Sequence, residues 1–248
     1  MKKIIVAIII MTVLSSCEKR AIPTLFMIGD STMADKPLDD NPERGWGQLL
    51  PEFFDTTLIK IENHARNGRS TRSFIYESRW DTVFSRMKEG DFIIIQFGHN
   101  DGSIEKTGRY ATPEEYRYNL VKFIKESQSK GVYPVLCTPV VRRKFDEKGI
   151  LTDTHGEYPN IVRSIADSLN IPLIDMQKES EKLVSSLGDE GSKKLYLYIE
   201  PGVYKRFPEG KKDDTHFSEE GATAIAAIAV KGFREKRIPL TQYLKDEK

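Results

Sequence analysis

The stretch Phe92-Ile93-Ile94-Ile95-Gln96-Phe97-Gly98-His99-Asn100-Asp101 joins an unbroken apolar run to a polar turn. A strand with water on one face alternates apolar and polar residues, and this one does not. Apolar side chains on both faces are expected of a central parallel strand covered by helices. Outward from it, short apolar runs recur at Leu25-Phe26-Met27-Ile28, Leu58-Ile59-Lys60-Ile61, Tyr133–Cys137 and Pro172-Leu173-Ile174-Asp175. Between the third and fourth strands, Tyr116, Leu120, Phe123 and Ile124 lie at helical spacing over residues 113–130. Pro113 suits that helix's first turn and Gly131 its stop. A last long helix is expected over residues 218–234, opened by a serine cap with Glu219 and Glu220 in its first turn. Alternation of strand and helix predicts an α/β protein: a three-layer α/β/α sandwich around a five-stranded parallel sheet.

The 248 residues are 39% hydrophobic and 30% charged, with a net charge of +1. That is enough apolar material for one sizeable core, and the length fits one domain better than two. The near-balanced charge gives no basic footprint for nucleic acid. Four histidines and two cysteines are too few and too scattered to suggest a metal cluster. No internal repeat or low-complexity tract is present.

Met1-Lys2-Lys3 is a positive start, followed by an apolar run over residues 4–14 and then Ser15-Ser16-Cys17. Such a run is too short to span a membrane, which takes about 20 residues, but suits a signal peptide. Leu14-Ser15-Ser16-Cys17 resembles a bacterial lipobox. It implies a leader over residues 1–16, lipidation of Cys17, an anchor and linker over 17–23, and a catalytic domain over 24–248. The product would be an exported lipoprotein of the periplasm or cell surface; the plainer alternative is a secretory signal with an incidental cysteine. Cys137 reads as a small hydrophobe in a buried strand. Acylation of Cys17 would leave it without a disulfide partner.

Three polar motifs fall at the ends of consecutive strands: Gly29-Asp30-Ser31-Thr32, Asn67-Gly68-Arg69-Ser70 and Gly98-His99-Asn100-Asp101. Open parallel sheets bind ligands outside the carboxyl ends of their strands, where the strand order reverses. With order 2-1-3-4-5 all three motifs converge on one crevice. A fourth, Asp213-Asp214-Thr215-His216, precedes the last helix and can reach the same edge. A serine hydroxyl needs a neighbouring base to become nucleophilic, and His216 can accept its proton and later return it. Asp213, three residues earlier, can turn back to orient the imidazole, with Asp214 as the rival. The N–H groups of Ser31 and Gly68 and the amide of Asn100 are the natural donors for an oxyanion. Glycine at 68 lets backbone approach a ligand closely.

Gly29-Asp30-Ser31, Gly68, Gly98-x-Asn100-Asp101 and Asp213-x-x-His216 together resemble the four blocks of the SGNH (GDSL-like) hydrolases, in the family's order. Each motif is weak singly; four in order at fitting strand ends are strong. Residues 28–34, Gly45-Trp46-Gly47, residues 67–74 and residues 96–101 resemble the rhamnogalacturonan acetylesterases. The likeness spans Leu25 to about Phe233. It implies a flavodoxin-like fold, a Ser31-His216-Asp213 triad, no metal or other cofactor, and removal of O-acetyl groups from plant cell-wall polysaccharide. Membrane attachment would come through the lipid at Cys17.

Trp46, Arg69 and His99 are expected to face substrate, and Asp30 to tie down the Ser31 loop. His64 and His155 are expected to be structural or exposed. Arg66, Arg69, Arg72, Arg142, Arg143 and Lys144 are ordinarily solvated, with pairing of some of them to galacturonate carboxylates as the sharper alternative. Residues 140–157 and 191–212 are expected to be substrate-facing loops. Two rival functions stand. One is the same fold and triad acting on xylan or peptidoglycan acetate, or as a lipase or thioesterase. The other is a non-catalytic carbohydrate-binding surface lipoprotein.

Overall fold

A computed structural model describes residues 22–246. The leader over residues 1–16 and the lipidation site Cys17 lie outside the described residues. Five strands form one parallel sheet: β1 (Thr24–Gly29), β2 (Lys60–Asn63), β3 (Phe92–Gln96), β4 (Tyr133–Cys137) and β5 (Leu173–Ile174). Their order is β2-β1-β3-β4-β5. The helices are α1 (Trp46–Leu49), α2 (Thr71–Tyr76), α3 (Arg79–Arg86), α4 (Pro113–Ser129), α5 (Tyr158–Leu169), α6 (Met176–Ser192) and α7 (Glu219–Glu235).

Side chains alternate across each strand and feed two cores. Leu25, Met27, Ile94, Val135 and Cys137 point to the face covered by α1, α6 and α7, where Trp46, Val184, Ile225 and Phe233 meet them. Phe26, Ile28, Ile93, Ile95 and Leu136 point to the opposite face, against Phe74, Trp80, Phe123 and Ile165 from α2 to α5. This is the expected three-layer sandwich, and it accounts for the continuous apolar reading of β3, buried at every position. Cys137 is buried, and burial pushes its thiol well above the usual range, so it packs as a hydrophobe.

Cap chemistry sets the helix starts. Thr112 accepts from the Glu115 N–H ahead of α4, with proline in its first turn, and Ser218 accepts from the Gly221 N–H ahead of α7. Ser70 and Ser73 form a reciprocal box at the start of α2, which fixes the direction in which the chain leaves the Gly68 turn.

One element departs from the sequence reading. Residues 191–212 are not a loop throughout: β6 (Tyr196–Ile199) pairs antiparallel with β7 (Lys211–Phe217) as a separate two-stranded sheet. Its register jumps, with Tyr196 opposite Phe217 but Leu197 opposite Asp213. Residues 214–216 are therefore thrown out as a bulge. Bulges redirect side chains at sheet edges, and this one carries His216.

Phe123 sits at the centre of an aromatic cluster on the α2–α5 side, 4.7 Å from Trp80 and 6.0 Å from Phe97 between ring centroids. Phe123→Ala removes that keystone and is expected to cost about 3–5 kcal/mol of stability, measured by chemical denaturation. A loss below about 1 kcal/mol would show that the cluster collapses around the cavity without strain.

Candidate active site

The carboxyl ends of β1, β2 and β3 lie side by side, so the turns that follow them meet at one edge. Directly after β1 the chain turns, with the Asp30 carbonyl accepting from the N–H groups of Met33 and Ala34. The buried Asp30 carboxylate accepts from Thr32 N–H at 3.0 Å and Thr32 Oγ1 at 2.8 Å. Burial raises its pKa, against the opposing effect of these bonds and of the His99 N–H. Gln96, the last residue of β3, donates weakly to Asp30 and accepts from the Trp46 indole at 2.8 Å. Ser31 emerges from this scaffold at the floor of a crevice of about 560 Å³, 8% exposed.

The β7 bulge brings His216 to it. His216 Nε2 lies 2.9 Å from Ser31 Oγ, and its Nδ1 lies 2.9 Å from Asp213 Oδ2. The other oxygen of Asp213 accepts from the N–H groups of Thr215 and His216, at 2.9 and 3.0 Å. Burial alone would raise this carboxyl, but its bonds to the His216 ring and to these two amides outweigh burial and hold it well below the usual carboxylate range. Asp214 faces away, paired with Arg143 at 2.6 Å and accepting from the Tyr198 hydroxyl at 2.6 Å.

Gly68 and Asn100 line the same crevice. Gly68 has φ +73°, in the left-handed region where a side chain is strained, and an added Cβ would also press against the Arg109 guanidinium at 3.0 Å. One amide N–H of Asn100 is anchored on the Arg69 carbonyl at 3.0 Å, which orients the side chain and leaves its second N–H to serve a ligand. The loop carrying Gly68 is tied to the loop carrying Asn100 by Asp101, whose Oδ1 accepts from Thr71 N–H at 2.8 Å and Thr71 Oγ1 at 2.6 Å. The other oxygen of Asp101 is buried with no hydrogen-bond partner among the described residues. Burial is the main cause that pushes the Asp101 pKa up to about 7, against the Thr71 bonds and with the help of nearby Asp30.

Two expected substrate contacts are corrected. Trp46 is fully buried, and its indole N–H supports Gln96 rather than meeting the crevice. The Arg69 side chain turns outward, held by Glu77 at 3.0 Å and the Asn67 carbonyl at 2.9 Å; only its backbone carbonyl serves the site, through Asn100. His99 does line the crevice. Its Nδ1 lies 3.3 Å from His155 Nε2, an encounter between two loops that the sequence did not suggest. Burial holds both rings below the usual histidine range, His155 at about 3, so each is neutral at working pH. The sequence reading also missed Lys106, Arg109 and Arg206, which surround the crevice from loops with no motif to mark them. Both expected substrate-facing segments do reach it, through Arg142 and through Leu197, Arg206, Phe207 and Lys211.

Comparison with known proteins gives the chain its relatives. The family model described as "GDSL-like Lipase/Acylhydrolase family" matches residues 27–224. The chain is 37% identical to rhamnogalacturonan acetylesterase RhgT of Bacillus subtilis over 89% of its own length and 93% of that protein's. It is 32% identical to the probable rhamnogalacturonan acetylesterase YesY of the same organism, over 90% and 98%. Its structure matches the crystal structure of Bacillus subtilis YxiM with a TM-score of 0.76 and 26% identity, over 88% of this chain and 57% of that one.

The Asp101 environment gives a pH signature. The carboxyl titrates near 7 in the fold, against 3.8 for the free side chain. Between those values the unfolded chain releases the proton while the folded chain keeps it. The contribution of Asp101 to stability is therefore full below the lower value and lost as pH rises through the upper one. Asp101→Asn is expected to flatten the corresponding part of the melting temperature against pH profile. An unchanged slope would mean that Asp101 is ionised in the fold throughout.

Proposed function

The chain belongs to the GDSL-like lipase/acylhydrolase family and is an esterase, and from that premise we propose that it removes O-acetyl groups from pectic polysaccharide of the rhamnogalacturonan type. The observation that carries the mechanism is the unbroken chain from Asp213 through His216 to Ser31, with both links at 2.9 Å. His216 Nε2 takes the hydroxyl proton as Ser31 Oγ attacks the acetyl carbonyl. Asp213, ionised and fixed by two backbone N–H groups, holds the ring's tautomer and stabilises the imidazolium. The oxyanion is received by the N–H groups of Ser31 and Gly68 and the second N–H of Asn100. Collapse of this intermediate breaks the ester C–O bond. His216 protonates the departing sugar oxygen, and the acetyl group stays bonded to Ser31 Oγ as an acetyl-enzyme. Water then attacks with His216 as base, releasing acetate and restoring the serine.

The substrate class rests on the acetylesterases named among the relatives, which match over nearly their whole length. The polar, open crevice suits a sugar better than a long acyl chain: its lining is basic and polar rather than an apolar tunnel. Residues 24–248 act as one hydrolase domain in this reading. Residues 1–16 serve as an export leader and Cys17 as a lipid anchor that holds the enzyme on the membrane. No helix among the described residues is long and apolar enough to cross one.

Ser31→Ala is expected to abolish acetate release from acetylated rhamnogalacturonan while leaving the circular dichroism spectrum unchanged. Asn100→Ala is expected to lower kcat about 10²–10³-fold with a smaller change in KM, as for loss of one oxyanion donor. Full activity in a folded Ser31→Ala protein would refute the assignment.

A further inference from the structure

The crevice around Ser31 holds positive charge that the protein does not neutralise. Five cations line it: Lys106, Arg109, Arg142, Arg206 and Lys211. Two are engaged. Arg142 donates to the His99 carbonyl at 2.8 Å and the Thr154 carbonyl at 3.1 Å, and Lys211 lies 3.6 Å from Asp213. The acidic groups of the lining are also committed. Glu43 pairs with Lys36 at 2.6 Å, and Asp213 serves His216. Lys106, Arg109 and Arg206 remain, with no carboxylate partner among the described residues.

Their placement is built rather than incidental. Residues 100–111 form successive turns: Ser103 N–H donates to Asn100, Lys106 N–H to Ser103, and the N–H groups of Arg109 and Tyr110 to Lys106. The base of this loop is closed by Ala111 N–H on the Asp101 carbonyl, and braced by the Tyr158 hydroxyl near the carbonyls of Asp101 and Ala111. Arg109 is thereby laid against Gly68, where a Cβ would stand 3.0 Å from its Cζ. From the other side, the Asp40 carboxylate accepts from the N–H groups of Lys205 and Arg206, fixing the backbone that presents Arg206. Uncompensated charges gathered around one crevice cost stability through mutual repulsion and are relieved by an anionic ligand. Guanidinium groups favour a planar, bidentate partner such as a carboxylate.

We propose that Lys106, Arg109 and Arg206 form a carboxylate subsite that binds the uronic acid of the substrate and makes the enzyme selective for acidic over neutral acetylated polysaccharide. This rests on the reading of the crevice as the esterase site, and it deepens that reading by naming what positions the sugar. Arg109 lies close enough to Gly68 to hold a carboxylate on the ring that bears the scissile acetyl group or on the ring beside it. Lys106 and Arg206 then extend the positive wall along the chain.

The test is calorimetric and needs no turnover, so its failure is separate from failure of the esterase assignment. Trigalacturonate, its methyl ester and xylotriose are titrated into the folded Ser31→Ala protein. Trigalacturonate is expected to bind, its affinity to fall as salt rises, and the two uncharged probes to bind at least about tenfold more weakly. Adding Arg109→Ala should weaken trigalacturonate about tenfold or more while leaving the neutral probes unaffected, with Arg109→Lys intermediate. Lys106→Ala and Arg206→Ala should each weaken it less. Lys125→Ala, which removes a charge on α4 away from the crevice, should change nothing. Equal binding of trigalacturonate and its methyl ester would overturn the proposal, as would undiminished binding in the Lys106/Arg109/Arg206 triple alanine variant.

Discussion

A serine hydroxyl attacks an ester only while a base stands ready for its proton, and in the proposed mechanism that base, His216, comes from 185 residues away in the chain. The 2.9 Å contact between Ser31 Oγ and His216 Nε2 is the constraint that the rest of the molecule satisfies. It is met by two independent devices. The parallel sheet sends β1 out at the same edge as β2 and β3, which places Ser31 beside Gly68 and Asn100. The β6–β7 ribbon, outside that sheet, uses a bulge to bend His216 over Ser31 and back onto its own Asp213. A regular strand over residues 211–217 would alternate its side chains to opposite faces and separate Asp213 from His216; the bulge is what turns them toward each other.

Beneath the crevice lies a layer of buried polar groups that bind one loop to the next. Gln96 at the end of the central strand joins Trp46 to Asp30, and Asp30 pins the turn that presents Ser31. Asp101 joins the loop of Asn100 to the start of α2, which follows Gly68. Asn119 of α4 reinforces this join by donating to Thr71 Oγ1 at 3.1 Å. Burial raises the pKa of both carboxyl groups, and the nearby Asp30 pushes that of Asp101 further up. In the proposed mechanism such a network holds the three N–H donors in place, and preorganised donors are the larger part of acyl-transfer catalysis.

The parallel sheet was legible because residues 92–95 of β3 are apolar on both faces, a pattern that only a strand covered on both faces sustains; its order came with the resemblance to a flavodoxin-like family. The convergence of four motifs followed from that order. The ribbon was not legible: Lys211-Lys212-Asp213-Asp214 has no apolar alternation, since β7 is a two-stranded edge held by backbone pairing and by ion pairs of its own. Trp46 was misread because an aromatic flanked by glycines suits a sugar platform as well as a core. The decisive fact, a buried Gln96 needing a donor, lies 50 residues away. Arg69 was misread because its partner Glu77 is eight residues on, a spacing with no helical meaning. The basic wall was invisible for the same reason: Lys106, Arg109 and Arg206 become a group only when two loops face each other.

The central claim is that Ser31 carries the acyl group between the two halves of the reaction. Rapid quenching of the enzyme with an activated acetate ester, followed by peptide mass spectrometry, reads this directly. The account requires a transient acetyl group on the peptide containing Ser31, forming and decaying at rates consistent with turnover. Turnover with no acetylated Ser31 at any quench time, or an acetyl group on another residue with the same kinetics, would contradict it.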